Sequence, residues 1–149
     1  MSPNYSINFR IRRKSNVIFR KMTNFLRMSP NFILFAAPRC GTTSMYDYLI
    51  QHPSICSALN KEIGFFEYSY HRGKKWYKMY FPLSLEKYKV NRKYRQYFIT
   101  GEATSNYIHH PKVPQRIKKD FPEVKLIAML RNPVDRAFSQ WYKQVKQKK

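Results

Sequence analysis

Two stretches of this chain carry side chains suited to holding phosphate or sulfate. The first is Pro38-Arg39-Cys40-Gly41-Thr42-Thr43-Ser44. It follows the apolar run Phe32-Ile33-Leu34-Phe35-Ala36-Ala37, whose length and bounding Ser29-Pro30-Asn31 predict a buried strand. Beyond it, Met45, Tyr48, Leu49 and His52 recur at helical spacing until Pro53 ends the pattern. A strand, a tight turn and a helix start would offer unpaired N–H groups and a partial positive charge to an anion. Gly41 allows close backbone approach, the hydroxyls of Thr42, Thr43 and Ser44 add donors, and Arg39 adds a forked cation. The run is not a Walker A loop, since no glycine opens it and no lysine follows Gly41. It is not a Gly-x-Gly-x-x-Gly turn either. On these residues alone it reads equally as an anion cradle or as an ordinary strand-to-helix turn.

The second stretch favours the cradle. Lys125 to Leu130 predicts another strand, and Arg131-Asn132-Pro133-Val134-Asp135-Arg136-Ala137-Phe138-Ser139 follows it. Arg131 stands at that strand's carboxyl end, where open parallel sheets bind ligands. Ser139 lies about two turns into the next helix, within reach of a second anion beside Arg131. Pro133 suits the first position of that helix.

The elements that must position these residues follow from the rest of the chain. The 149 residues make one domain by length, and 43% apolar content is enough to build a core. Ser54 to Leu59 and Tyr97 to Thr100 predict further strands. Residues 74–81, 83–89 and 111–119 predict helices, and 60–70 reads as loop. Strands alternating with helices predict an α/β fold with a three-layer parallel sheet. Residues 1–30 form a basic lead-in, and 31–149 form the domain. In the lead-in, Ile18, Met22, Phe25 and Leu26 fit one helical face. That segment reads either as a basic amphipathic helix on an anionic membrane surface or as a poorly ordered basic lead-in with a late helix. The chain ends inside its last helical pattern, at Lys146-Gln147-Lys148-Lys149, which reads as a domain incomplete at its C-terminus.

Lys and Arg number 29 against 8 Asp and Glu, a net charge of +21, which calls for an anionic partner. Nucleic acid is the weaker choice, because the basic residues are spread over the chain and no nucleic-acid motif appears. Cys40 and Cys56 make no disulfide framework, and there is neither an 18-residue apolar run nor an apolar leader. A cytoplasmic setting, peripheral at a membrane if the basic segment docks there, is the expectation. His52, His71, His109 and His110 lack ligand spacing, so no metal is expected.

The chain resembles sulfotransferases that use 3′-phosphoadenosine 5′-phosphosulfate (PAPS), in the branch of the heparan sulfate and N-deacetylase/sulfotransferase type. Residues Pro38 to Ser44 resemble the family's 5′-phosphosulfate loop, and Leu130 to Ser139 resemble its 3′-phosphate motif. Between them, Lys61-Glu62-Ile63-Gly64-Phe65-Phe66, Gly73 to Pro82 with Trp76, Tyr77 and Phe81, and Gly101-Glu102-Ala103-Thr104-Ser105-Asn106-Tyr107 resemble three further family segments in the same order. The resemblance implies a fold like that of the P-loop nucleotide kinases. It implies a sulfuryl donor held by Arg39, Cys40, Gly41, Thr42, Thr43 and Ser44 at the phosphosulfate, and by Arg131 and Ser139 at the 3′-phosphate. Arg39 stands where the heparan sulfate branch usually carries lysine.

The reaction implied is in-line sulfuryl transfer to a hydroxyl or amine of a carbohydrate-like acceptor, with Arg39 stabilising leaving-group charge and Glu62 as general base. Without the resemblance, Glu62 would read as a surface carboxylate paired with Lys61. Lys61, Phe65 and Trp76 are expected on the acceptor side, although core packing is the commoner role for such aromatics. The alternative is a truncated, inactive remnant that binds nucleotides or polyanions through its basic surface.

Overall fold

The computed structural model describes residues 17–88 and 97–147. Its four strands are β1 (Phe32–Ala36), β2 (Ile55–Ser57), β3 (Ile99–Ala103) and β4 (Lys125–Met129). They form one sheet in the order β2-β3-β1-β4, with every pairing parallel. Phe32 lies opposite Gly101 on one side and Lys125 on the other, which aligns the carboxyl ends of β1, β3 and β4 along one edge. The helices are α1 (17–22), α2 (Thr42–Leu49), α3 (Gly73–Lys78), α4 (84–88), α5 (Val113–Asp120) and α6 (Pro133–Gln147). Short 3₁₀ turns at Asn24–Leu26, Tyr70–Arg72 and Ser105–Ile108 complete the path. The expected three-layer α/β arrangement is what forms.

The central strand β1 explains the layering. Successive side chains of a strand point to opposite faces. Ile33 and Phe35 face an aromatic core with Phe65, Phe66, Tyr77, Phe81, Tyr107 and the α5 residues Val113 and Ile117. Phe32 and Leu34 face the other way, against Tyr46 and Leu49 of α2. A strand covered on both faces must be apolar throughout, which is why the run reads Phe-Ile-Leu-Phe-Ala. Within the aromatic core, Phe65 stacks on Tyr77 at 4.4 Å between ring centres, and Phe66 meets Tyr77 and Tyr107 edge-on.

Phe32 also dictates Gly101. A Cβ at residue 101 would lie 2.5 Å from the Phe32 carbonyl oxygen and 2.6 Å from its ring. Gly101→Ala should therefore push β3 away from β1 and lower unfolding stability by about 1–3 kcal/mol. A urea denaturation curve checks this; an unchanged midpoint would mean that the strands separate freely here.

β4 is an edge strand, and Leu126 and Ala128 are exposed along it. α6 has no buried residue. Its Val134, Phe138 and Trp141 line an open apolar hollow instead.

The basic residues before β1 include two with structural work. Arg27 is buried and donates to the Phe81 carbonyl at 2.8 Å and to Thr23 Oγ1 at 3.0 Å. Arg20 donates to the Met79 carbonyl at 3.0 Å. Residues 17–28 thus pack on the chain just beyond α3, and Arg27 forms an antiparallel bridge with Leu83.

Candidate active site

Loops leaving the carboxyl ends of all four strands meet at one cleft of about 450 Å³. The turn after β1 supplies Arg39 and Gly41, and the start of α2 supplies Thr42, Thr43 and Ser44. The stretch after β2 supplies Glu62, the turn after β3 supplies Ser105, and the segment after β4 supplies Arg131 and Ser139. Residues up to 100 positions apart are thereby in contact: the Arg39 Nε–H donates to Ser139 Oγ at 3.0 Å. Arg131 donates to the Arg39 carbonyl at 3.2 Å. The two anion-binding stretches read from the sequence form one wall.

The backbone at this wall is held in uncommon conformations. Gly41 caps α2 at φ +86°, which glycine adopts without cost. Arg39 has φ +72° and Glu62 has φ +54°, a region that costs a residue with a Cβ roughly 1–3 kcal/mol. Both are tied down. Arg39 is gripped by Arg131 and Ser139, and the Glu62 N–H donates to the Ala103 carbonyl at 2.8 Å. The turn at Glu62 aims its carboxylate at Ser105. There the Ser105 N–H donates to Oε2 at 3.0 Å and the Ser105 hydroxyl donates to Oε1 at 2.7 Å. Ser105 Oγ also shares a hydrogen bond of 3.2 Å with Thr42 Oγ1. A continuous chain of hydroxyls thus runs from the start of α2 to the carboxylate.

Among the described residues the cleft holds three cationic side chains, Arg39, Arg131 and Lys143, against the single carboxylate of Glu62. That balance suits a multiply charged anion beside one basic group. No group of three or more His, Cys, Asp or Glu side chains gathers among the described residues.

Four residues expected at the site lie elsewhere. Cys40 is buried, and its N–H turns back to the Ala37 carbonyl. Lys61 pairs with Asp47 of α2 at 3.4 Å instead of with Glu62, because the left-handed turn at residue 62 sends neighbouring side chains apart. Phe65 is fully buried against Tyr77, so it covers the sheet and cannot touch an acceptor. Trp76 packs on Phe65 at 6.2 Å, with the Arg72 guanidinium 5.0 Å above its ring.

Ser105, Gln140 and Lys143 line the cleft without having been expected there. Lys143 had a signal: it is four residues beyond Ser139 on one helix, hence on the same face. Ser105 lies in the family-like segment Gly101 to Tyr107, but nothing local joins it to Glu62, a contact that spans 43 residues.

Within reach of the Glu62 charge, Glu102 is fully buried in β3. Tyr77, Tyr107 at 3.1 Å and Thr104 at 2.8 Å donate hydroxyls to it. Burial raises its carboxyl to about 7 despite these three donors, and the Glu62 charge adds to the rise. Burial, with Glu102 alongside, also pushes the Tyr77 and Tyr107 phenols up, so both stay hydrogen donors.

Comparison with known proteins fits this geometry. Residues 29–149 match a family model described as the sulfotransferase domain. The chain is 37% identical over 115 residues to the membrane-associated sulfotransferase kil1 of Dictyostelium discoideum, covering 76% of this chain and 22% of that protein. It is 34% identical over 123 residues to the bifunctional heparan sulfate N-deacetylase/N-sulfotransferase 4 of Mus musculus, covering 76% of this chain and 13% of that one. It is 34% identical over 115 residues to the heparan sulfate glucosamine 3-O-sulfotransferase 6 of Homo sapiens, covering 77% of this chain and 30% of that one. The crystal structure of a sulfotransferase from Alicyclobacillus acidocaldarius superposes with a TM-score of 0.60 at 32% identity, covering 81% of this chain and 52% of that chain. The chain therefore spans under a third of the length of these three relatives and about half of the solved structure. With a family model over residues 29–149 and a solved sulfotransferase that superposes on most of its length, this chain belongs to the sulfotransferase domain family.

Proposed function

We propose that the cleft binds PAPS and that the chain transfers its sulfuryl group to a hydroxyl or amine of a carbohydrate acceptor. The observation that carries this reading is the meeting of both anion-binding stretches, with Glu62 opposite them, in one cleft. When bound, the donor supplies the sulfuryl group and leaves as the bisphosphate.

The chain's own residues divide the remaining work. The N–H groups opening α2 and the hydroxyls of Thr42, Thr43 and Ser44 suit the 5′-phosphosulfate. Arg39 stabilises the charge that grows on the leaving phosphate. Arg131 and Ser139 suit the 3′-phosphate, and Lys143 adds a cation on the same helix face. Glu62 takes the proton that the acceptor hydroxyl or amine gives up as it bonds to sulfur. Ser105 holds that carboxylate in place. Two relatives are named for heparan sulfate sulfation, one at nitrogen and one at oxygen, which supports a carbohydrate acceptor of either kind.

Calorimetric titration with 3′-phosphoadenosine 5′-phosphate, with AMP as control, tests the donor site. The bisphosphate should bind and AMP should bind far more weakly. Arg131→Ala should weaken bisphosphate binding by roughly 10–100-fold, the effect of losing a charge-assisted hydrogen bond of about 1.5–3 kcal/mol. Equal binding of AMP would remove the basis for the donor assignment. Tight bisphosphate binding without transfer of labelled sulfate to desulfated heparan sulfate or glucosamine-bearing glycans would reduce the chain to a binding module.

A further inference from the structure

Residues 17–26 are an amphipathic segment turned inside out. Its arginine faces the protein: Arg20 donates to the carbonyls of Met79 and Phe81. Arg27, at the segment's end, is buried against the same strip of backbone. Its apolar residues face outward. Ile18, Phe19, Met22, Phe25 and Leu26 are each 46–73% exposed. Anchoring at Arg20 and Arg27 fixes which face points out, so this display is built into the fold. Five large apolar side chains grouped on ten residues are more than the scattered exposure of an ordinary surface.

The charge around this face selects what covers it. No Asp or Glu occurs before Asp47, and Arg10, Arg12, Arg13, Lys14 and Lys21 precede or punctuate the apolar group. Glu86 lies near Arg20 and Arg27, but the segment's own sequence is basic without exception. Apolar side chains in such a sequence match an anionic bilayer, which accepts the former among its acyl chains and pairs the latter with headgroups. A protein partner would have to answer the same basic sequence with acidic groups beside an apolar centre. Among the described residues no helix is long and apolar enough to cross a membrane. We propose that Ile18, Phe19, Met22, Phe25 and Leu26 form a docking face for an anionic lipid surface. This goes beyond the sulfotransferase reading and stands independently of it.

Co-sedimentation with phosphatidylcholine vesicles, with and without phosphatidylserine, tests the proposal on the full chain. Binding is expected only when phosphatidylserine is present, and it should weaken with added salt. Combined Phe19→Ser, Met22→Ser and Phe25→Ser changes, all at exposed positions, should weaken it by roughly tenfold or more. The variant's circular dichroism should match the parent, which keeps folding separate from docking. In a second measurement, Phe25→Trp should gain emission that brominated acyl chains quench. Absence of binding to phosphatidylserine vesicles would overturn the proposal. So would undiminished binding of the triple variant, which would reduce the effect to net charge. Emission from the Phe25→Trp variant that brominated lipid leaves unquenched would overturn it too. Self-association of lipid-free protein that the triple variant abolishes would assign the face to a second copy and overturn it as well.

Discussion

Glu62→Gln should lower the rate of sulfuryl transfer by a factor on the order of 10²–10⁴, the range expected for loss of a general base. Binding of 3′-phosphoadenosine 5′-phosphate should change little, because in the proposed reading Glu62 serves the acceptor's proton and not the donor's phosphates. Glutamine is a fair replacement at this position. Its amide oxygen can accept the Ser105 N–H, and its amide nitrogen can donate to Ser105 Oγ. The Ser105 hydroxyl can then turn its hydrogen to Thr42 Oγ1, with which it already shares a hydrogen bond. The side chain should therefore keep its place and lose only its basicity.

Ser105→Ala supplies the internal control. It leaves the N–H contact and removes the hydroxyl one, so it should slow transfer less than Glu62→Gln. Its effect should vanish in the Glu62→Gln background, since a residue that acts through another is non-additive with it. If Glu62→Gln transferred sulfate at the parental rate, the proton would be leaving by another route. Glu62 would then be a surface carboxylate that Ser105 happens to hold.

What the sequence disclosed about this site was what local chemistry encodes. The strand, turn and helix around Gly41 are consecutive residues, and so are Arg131 to Ser139. The first reads equally as a cradle or an ordinary turn until the second, with Arg131 at a strand's carboxyl end, is set beside it. Their meeting is a consequence of parallel pairing on both sides of β1, which places the ends of β1 and β4 side by side. Glu62 was different, since its local chemistry does not distinguish a base from a surface carboxylate and only the resemblance of Lys61 to Phe66 to a family segment favoured the base. Its placement rests on Ser105, a contact of 43 residues' separation, and on a left-handed turn that no local pattern requires.

The aromatics were ambiguous for a related reason. Phe65 and Trp76 have the chemistry to stack on a sugar and the chemistry to fill a core. The deciding fact is that Ile33 and Phe35 of β1 need cover, and the Phe65–Tyr77 stack supplies it. Charge misled in the opposite direction. Counted as sequence, every Lys and Arg contributes to a surplus that looks available to a partner. Arg27 instead serves the Phe81 carbonyl, Arg20 the Met79 and Phe81 carbonyls, and Arg116 the carbonyls of Phe66 and Glu67. These arginines satisfy backbone groups that the irregular stretches after Phe65 and after α3 leave without partners. Arg39, Arg131 and Lys143 gather charge at the cleft, while other cations, Lys112, Lys118 and Lys119 among them, stay exposed elsewhere.

Glu102 should make folding stability depend on pH in a direction opposite to that of an ordinary paired carboxylate. Its carboxyl rises from 4.5 to about 7 in the folded chain, chiefly through burial. Between those values the folded state binds a proton that the unfolded state has released. Stability from this group is therefore complete below about pH 4.5 and is lost progressively as pH rises to about 7. That span is worth on the order of 3 kcal/mol. The +21 chain also repels itself more strongly at low pH, which works the other way, so the difference between two proteins isolates the Glu102 contribution. Glu102→Gln keeps an acceptor for Tyr77 and Tyr107 and cannot ionise. Relative to Glu102→Gln, the parent should lose stability between pH 4.5 and 7 and hold steady above. Glu102→Ala should be far worse at every pH. It leaves the hydroxyls of Tyr77, Thr104 and Tyr107 buried without their acceptor, at about 1–3 kcal/mol each, enough to unfold a domain of ordinary stability. Urea unfolding of the three proteins across that pH range reads both effects. Parallel pH curves for the parent and Glu102→Gln would mean that the carboxyl titrates as it does in water, and that the hydroxyl cluster beneath the site is open to solvent.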